Sequence, residues 1–351
     1  MRNTLAWARE EAIRLYRIYW AIGLLAHQIS APELKRQDLA EQLESIQASK
    51  SKKHLQSLAR TLREKIRTLR ERLEILATDD DLLSFLSNVE KGPEGELVWV
   101  PVDFLSKLSR VYERLQMPAH WRVGIDPQGS RPPNSIFETR ALEVTLFEDV
   151  CALFNLTKRQ ADALGGRPFP KEALKTLNAL LRSTSLFVFF FVESYLNGIA
   201  YDHFIRSGDS LNEDEIELLA EWSISQNKVR QKTTRDKLLQ YPKIITGAKH
   251  PLLQESNCPE LKIIVESAKH IRDAIVHGSP FPRMDARQNR ENWLDKETLI
   301  YTLTLAQVEQ IVDAAIVPVR KIHTLIGKAP QLDWLKDRDK ESALFPSSTF
   351  D

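Results

Sequence analysis

Sulfur is scarce in this chain. Cys151 and Cys258 are its only cysteines in 351 residues, and they match no metal-ligand spacing. A disulfide framework and a cysteine-based zinc site are therefore excluded, and two idle thiols in a reducing compartment are expected. Glycine is also sparse, at 12 residues, and aromatics make up 8%. With Leu, Glu, Lys and Arg abundant, that balance points to an all-α protein rather than a sheet-rich one. Net charge is nearly absent at +1, so the whole-molecule charge calls for no nucleic acid. A local basic face stays open, because steering depends on how charge is distributed. No apolar run reaches the roughly 20 residues of a membrane-spanning helix. The longest, Ser183 to Val192, is bracketed by Arg182 and Glu193 and reads as a buried core helix. Arg9, Glu10, Glu11 and Arg14 interrupt the opening segment, so no secretory signal is expected. Glycine-rich phosphate loops, His-Glu-x-x-His, Cys-x-x-Cys and Gly-x-Ser-x-Gly are all missing, and neither cofactor nor metal is expected. The expectation is a soluble, cytoplasmic protein that does not engage membrane.

What is present is helical periodicity. Leu5, Ala8, Ala12, Leu15, Tyr19, Ile22, Ala26 and Ile29 recur at alternating three- and four-residue steps, the coiled-coil pattern. Ser30 and Glu33 form a capping-box signature for a second long helix reaching about Ala77. Its seam runs through Leu55, Leu58, Leu62, Ile66, Leu69, Leu73 and Leu76, with a polar, basic middle at 49–54 that is either solvated or bent. Two such helices predict an antiparallel coiled-coil hairpin over residues 1–78, one that projects or dimerises. The basic residues from Lys50 to Arg72 read as a solvated face or as a phosphate-tracking surface for RNA, diluted by Glu64 and Glu71. Residues 79–134 read as a small connecting region. Asp79–Asp81 starts a helix through Val89, Leu97–Val100 suggests a strand, and Asp103–Leu115 suggests a helix. The Gly- and Pro-rich stretch Met117–Pro133 is the best linker in the chain.

Residues 135–328 form the second helical domain in this reading, and 329–351 a polar tail. Helices are expected at Ser135–Leu156, Lys171–Ile205, Ser210–Trp222 (acidic) and Lys228–Leu239 (basic). The basic one reads first as a solvated helix, and otherwise as the RNA-contacting element outside the motif described below. Thr304 and Gln307 form a capping box for a last helix to about Ile326. On the long apolar helix, Glu193 and Asn197 stand one turn apart and share a face. A buried carboxylate needs a partner, and Arg272 is a natural one. Alternatively, Glu193 and Asn197 are partly exposed or purely structural residues.

The stretch Ala268–Gly278 carries the chemistry. Ile263, Ile264, Ser267, Ile271 and Ile275 build one helical face, and Pro259 suits the first position of that helix with Asn257 as its cap. Gly278 ends the helix, and Pro280 and Pro282 keep it ended. Arg272 and His277 sit just before that stop, about 140° apart if helical geometry holds throughout. They converge if His277 lies in an unwinding last turn, or if two chains pool their pairs. RNA is cut without a metal when its own 2′-hydroxyl attacks the adjacent phosphorus. That reaction needs a proton carrier working near neutral pH, which histidine provides, and fixed positive charge over the phosphorane, which arginine provides.

The Arg272–His277 spacing at a helix end resembles the signature of the HEPN superfamily, and Val192-Glu193-x-x-Leu196-Asn197 resembles the first core helix of those domains. The resemblance implies a HEPN-like helical bundle in the C-terminal half and metal-independent endoribonuclease activity. It makes Arg272 and His277 the catalytic pair, facing the partner's pair across a homodimer cleft. Asp273, next to the arginine, is expected to orient His277, while Lys269 and His270 add charge at the approach. Family habit implies a bacterial toxin or anti-phage effector, with the coiled coil serving dimerisation, sensing or the binding of a protein partner or inhibitor. Some relatives carry a modifiable tyrosine two residues after the histidine. Here that residue is Ser279. Two other classes stay open: a non-catalytic helical scaffold built on the coiled coil, and an RNA- or nucleotide-binding module that holds its ligand without turnover.

Overall fold

A computed structural model describes residues 4–26, 39–92, 96–114, 117–125, 137–165, 171–276 and 300–327. The chain is all-α in class, with two short sheets as minor additions. It divides into two compact units between Arg140 and Ala141. The division falls after the Gly- and Pro-rich stretch, not within it.

In the first unit, α1 (Leu5–Ala26) packs against α2 (Leu39–Ala48), α3 (Lys52–Arg72) and α4 (Asp79–Glu90). Most of the expected seam is present, though Leu76 is half exposed and Ile29 lies outside the described residues. Ala8, Ala12, Leu15, Tyr19, Ile22 and Ala26 of α1 are buried, as are Leu55, Leu62, Ile66, Leu69 and Leu73 of the second stretch. The second helix is not continuous, however. Ser51 caps a fresh start by accepting a hydrogen bond from the His54 amide, so α3 spans 21 residues, about 32 Å. Nor is this an isolated coiled coil, in which one face of α1 would stay wet. Every residue of α1 from Ile18 to Ala26 is buried, since the stretch expected as a connecting region covers its other faces.

That region supplies α4, β1 (Val98–Pro101), α5 (Val102–Leu108), α6 (Arg110–Arg114) and β2 (Arg122–Ile125) to the same core. Thr78, rather than an aspartate, is the N-cap of α4, in a reciprocal capping box with Asp81. The helix expected over Asp103–Leu115 breaks at Ser109, whose backbone is extended and whose hydroxyl donates to the Leu73 carbonyl at 2.6 Å. The Tyr112 hydroxyl donates to the Leu25 carbonyl at 2.9 Å and ties α6 to α1. A three-stranded antiparallel sheet, β1–β2–β3 with β3 at Phe137–Arg140, occupies part of what composition suggested was linker and helix. Gly124 belongs to β2, where it faces Trp99. A methyl there would come within 3.1 Å of the Trp99 ring and 2.8 Å of Leu97.

Part of the basic face of α3 is paired with carboxylates. Arg63 pairs with Glu11, Arg67 with Glu64 and Arg70 with Asp79, at 2.5 to 2.7 Å. Lys65 lies 5.6 Å from the Tyr19 ring centre. Exposed pairs of this kind add only about 0–1 kcal/mol each, and they take up three of the eight cations on α3.

In the second unit, α7 (Leu142–Ala163) and α8 (Lys171–Ser207) form an antiparallel pair. Thr157 and Thr184 share a hydrogen bond at 3.1 Å, and the Phe147 and Phe191 rings lie 5.1 Å apart. Composition alone would let α8 cross a membrane, but half of that window is buried within the unit. It is a core helix. The chain continues through α9 (Glu213–Leu219), a short hairpin of β4 (Trp222–Ser223) and β5 (Lys228–Val229), and α10 (Thr234–Thr246). The expected basic helix therefore starts at Thr234, where Thr233 and Asp236 form a capping box, and residues 228–229 are extended. Next come α11 (Glu260–Lys262), a π-helical turn at Ile263–Ala268 and α12 (Lys269–Val276), in that order. Asn257 does not cap this run. Its side chain closes the preceding turn through the Gln254 amide and the Leu252 carbonyl. Finally α13 (Leu305–Ile326) starts at the Thr304–Gln307 capping box and packs on α8, where the Tyr195 hydroxyl donates to the Val319 carbonyl at 3.4 Å.

Neither cysteine is in a disulfide, and both are buried. Burial pushes the Cys258 thiol up to about 11, more than the nearby Lys321 lowers it, and only the thiolate is reactive. Neither cysteine is expected to react with an aromatic disulfide reagent at pH 8 in the folded chain. Two thiols should then appear in denaturant, and fast labelling of the native protein would contradict the packing.

Candidate active site

The motif helix is seated by Leu261, Ile264, Ala268 and Ile271, all buried at steps of three and four. Ser267, expected on this face, is exposed, and Ala268 takes its place. Ala268 stands four residues after Ile264 and three before Ile271, ordinary helical steps, and a π turn covers Ile263–Ala268. Such turns recur at functional sites. Arg272 follows at the edge of the buried stripe, against α8.

The Arg272 guanidinium carbon lies 5.2 Å from the centre of the Phe189 ring. Its Nη1 donates to Asp273 Oδ1 at 2.7 Å, and its side chain is 32% exposed. Its Nε is buried and has no hydrogen-bond partner among the described residues. An orphaned buried donor costs about 1–3 kcal/mol, which an acceptor arriving from outside would recover. Asp273 also accepts from Lys269 one turn back. Burial raises the Asp273 carboxyl, but hydrogen bonds from Lys269 and Arg272 and the charge on both outweigh it, so the net shift is downward. Lys269, Arg272 and Asp273 thus form a compact group of net charge +1, attractive to a phosphate. Asp273, expected to orient His277, is engaged by the two cations. Lys269, expected to add charge at the approach, spends its own on Asp273. His270 is partly buried on the same helix. His277 lies outside the described residues, as do Gly278 and the two prolines.

Glu193 and Asn197 do share a face of α8, and their partner is not Arg272. It is Lys237 of α10, whose ammonium donates to Glu193 Oε2 and to Asn197 Oδ1, each at 2.8 Å. The same ammonium sits 2.5 Å from Glu221 Oε1. Thr234 donates to the other oxygen of Glu193, and the Tyr241 hydroxyl donates to Glu221 at 3.2 Å. Burial, the Glu221 charge and that hydrogen bond keep the phenol firmly protonated. The Lys237 side chain is only 5% exposed, against 21% and 22% for the two glutamates. A cation this deep survives because all its donors are used.

Sequence reasoning missed Lys237, Glu221, Thr234 and Tyr241. Lys237 hid within a basic run and Glu221 beside an acidic helix. One signal was available: Thr234, Lys237, Leu238 and Tyr241 follow helical spacing and form the buried face of α10. Phe189, Glu193 and Asn197 are spaced by four on α8, so Arg272 and the Lys237 cluster meet successive turns of one helix.

Comparison with known proteins returns no matching family model, no similar curated protein and no similar solved structure.

Proposed function

We propose that the chain is a metal-independent endoribonuclease of HEPN type, acting as a cytoplasmic homodimer. We further propose a role as a bacterial toxin or anti-phage effector, restrained by a protein partner that engages the N-terminal unit. The observation that carries the reading is Arg272, a third exposed, braced on Phe189 and with a buried donor unspent, five residues ahead of His277. In the proposed reaction His277 takes or returns the proton, and Arg272 holds the phosphorane oxygens. The 2′-oxygen forms a bond to phosphorus as the bond to the 5′-oxygen breaks. The products are a 2′,3′-cyclic phosphate and a 5′-hydroxyl.

The test is RNA cleavage by the purified chain in EDTA, beside Arg272→Ala and His277→Ala. Cyclic phosphate ends from the wild type, with both variants folded and inactive, support the reading. Equal cutting by the variants would sink the site. The rival, a non-catalytic helical scaffold, rests on the Asp273 clamp, which makes Lys269 and Arg272 partners of a structural carboxylate.

A further inference from the structure

We infer that the β4–β5 hairpin is a gripping element for single-stranded RNA, a deepening that rests on the RNA reading above. The hairpin carries three large apolar side chains in solvent: Trp222 at 39%, Ile224 at 47% and Val229 at 61% exposed. Trp222 and Val229 are directly paired across the ribbon, so they share one face. Exposed apolar groups concentrated on so small an element mark a contact surface. Their occupant is indicated by charge. From Trp222 to Arg235 the chain holds Lys228, Arg230, Lys232 and Arg235 and no acidic residue. An exposed indole beside Lys228, Arg230 and Lys232, with Arg235 alone facing a carboxylate (Glu255, at 3.7 Å), suits a polymer of stacked bases and phosphates, and Trp accepts any base on its face.

The hairpin is also built to hold its shape. The Ile224 amide and the Ser223 hydroxyl both donate to Glu217, at 2.6 and 3.3 Å, and the Arg230 amide donates to the Glu221 carbonyl at 2.7 Å. Glu221 and Asn227 adopt left-handed backbone, φ 50° and 48°, a conformation that non-glycine residues hold only when surroundings enforce it. For Glu221 the enforcement is the Lys237 ammonium and the Tyr241 hydroxyl. The two carboxylates nearest the ribbon are thus consumed internally and do not repel a phosphate chain. Because Lys237 also holds Glu193, the root of the hairpin is fixed to α8 one turn from Phe189, the ring beneath Arg272. A strand held by the hairpin is thereby registered against the proposed cutting site.

The test is binding of a labelled single-stranded RNA of about a dozen nucleotides to the full chain carrying His277→Ala, so that cutting does not consume the probe. Trp222→Ala should weaken binding about tenfold, and Trp222→Phe should restore most of it. Lys228→Gln with Arg230→Gln should flatten the dependence of log affinity on log salt by about 1.4, at roughly 0.7 per lost phosphate contact. Unchanged affinity in Trp222→Ala overturns the inference, as does a preference for duplex RNA. So does a parent chain that binds no RNA, an outcome that would leave the apolar face to a protein partner. If binding follows the expected pattern while the wild type cuts nothing, the gripping role stands and the nuclease reading falls.

Discussion

Replacing Lys237 with Met is expected to destabilise the second unit by about 3–5 kcal/mol, the usual loss when one member of a buried ion pair is removed. The magnitude follows from what is left behind. Glu193 and Glu221 both point at the same ammonium, and Asn197 accepts from it. Without it, two carboxylates, 21% and 22% exposed, are left facing one another with no cation between them. Methionine keeps the apolar stem, so the deficit isolates the charge. Urea unfolding followed by a probe within the second unit measures it, provided that unit melts in one step. Adding Glu193→Gln to Lys237→Met should return part of the loss, because it removes one of the stranded charges. The two changes are therefore not additive. A deficit under about 1 kcal/mol, the range of an exposed pair, would mean the ammonium is hydrated and the cluster is not a buried network.

That cluster shows where the sequence was legible and where it was not. Seams were readable because burial follows helical period: Leu55, Leu62, Ile66 and Leu69 in α3 lie where spacing puts them, and of the expected motif-helix face Ile264 and Ile271 are buried while Ser267 is not. Caps written in a few adjacent residues were readable too, such as Thr304 with Gln307. The polar face of Glu193 and Asn197 was correctly placed on α8, while its partner was not. Period fixes which side of a helix a residue occupies, but not which other helix arrives there. Arg272 and Lys237 both pack on α8, and only the tertiary arrangement assigns Glu193 to the lysine. The π turn at Ile263–Ala268 was invisible for a related reason. Its wider hydrogen bonding has no compositional mark, and the exposure of Ser267 beside a buried Ala268 was not anticipated either. The hairpin at Trp222–Val229 was hidden by its basic residues, which suit an exposed helix as well as a ribbon. Its turn residue Asn227, at φ 48°, was the available hint.

Arg272→Ala is expected to lower RNA cleavage by about 10²–10³-fold, the loss typical of removing one charge-stabilising donor from a transition state. Stability should barely move, and the contacts of Arg272 show why. Its pairing with Asp273 is partly exposed, and Asp273 keeps Lys269 when the arginine is gone. Its contact with Phe189 is a cation over a ring, about 0.5–1 kcal/mol at such a site. Against these small losses stands a gain, since deletion removes a buried Nε that had no partner among the described residues. The terms nearly cancel. Lys237 and Arg272 therefore serve as opposite controls on successive turns of α8: one variant should lose the fold, and the other should keep it and lose the reaction. Arg272→Lys should recover charge but not the planar fork and only a fraction of the rate. A scaffold predicts the reverse, with the largest effect on melting and none on RNA. Paired measurements of cleavage in EDTA and urea midpoint on the same Arg272→Ala preparation decide between them. An unfolded variant supports the clamp, and a folded, inactive one supports the nuclease.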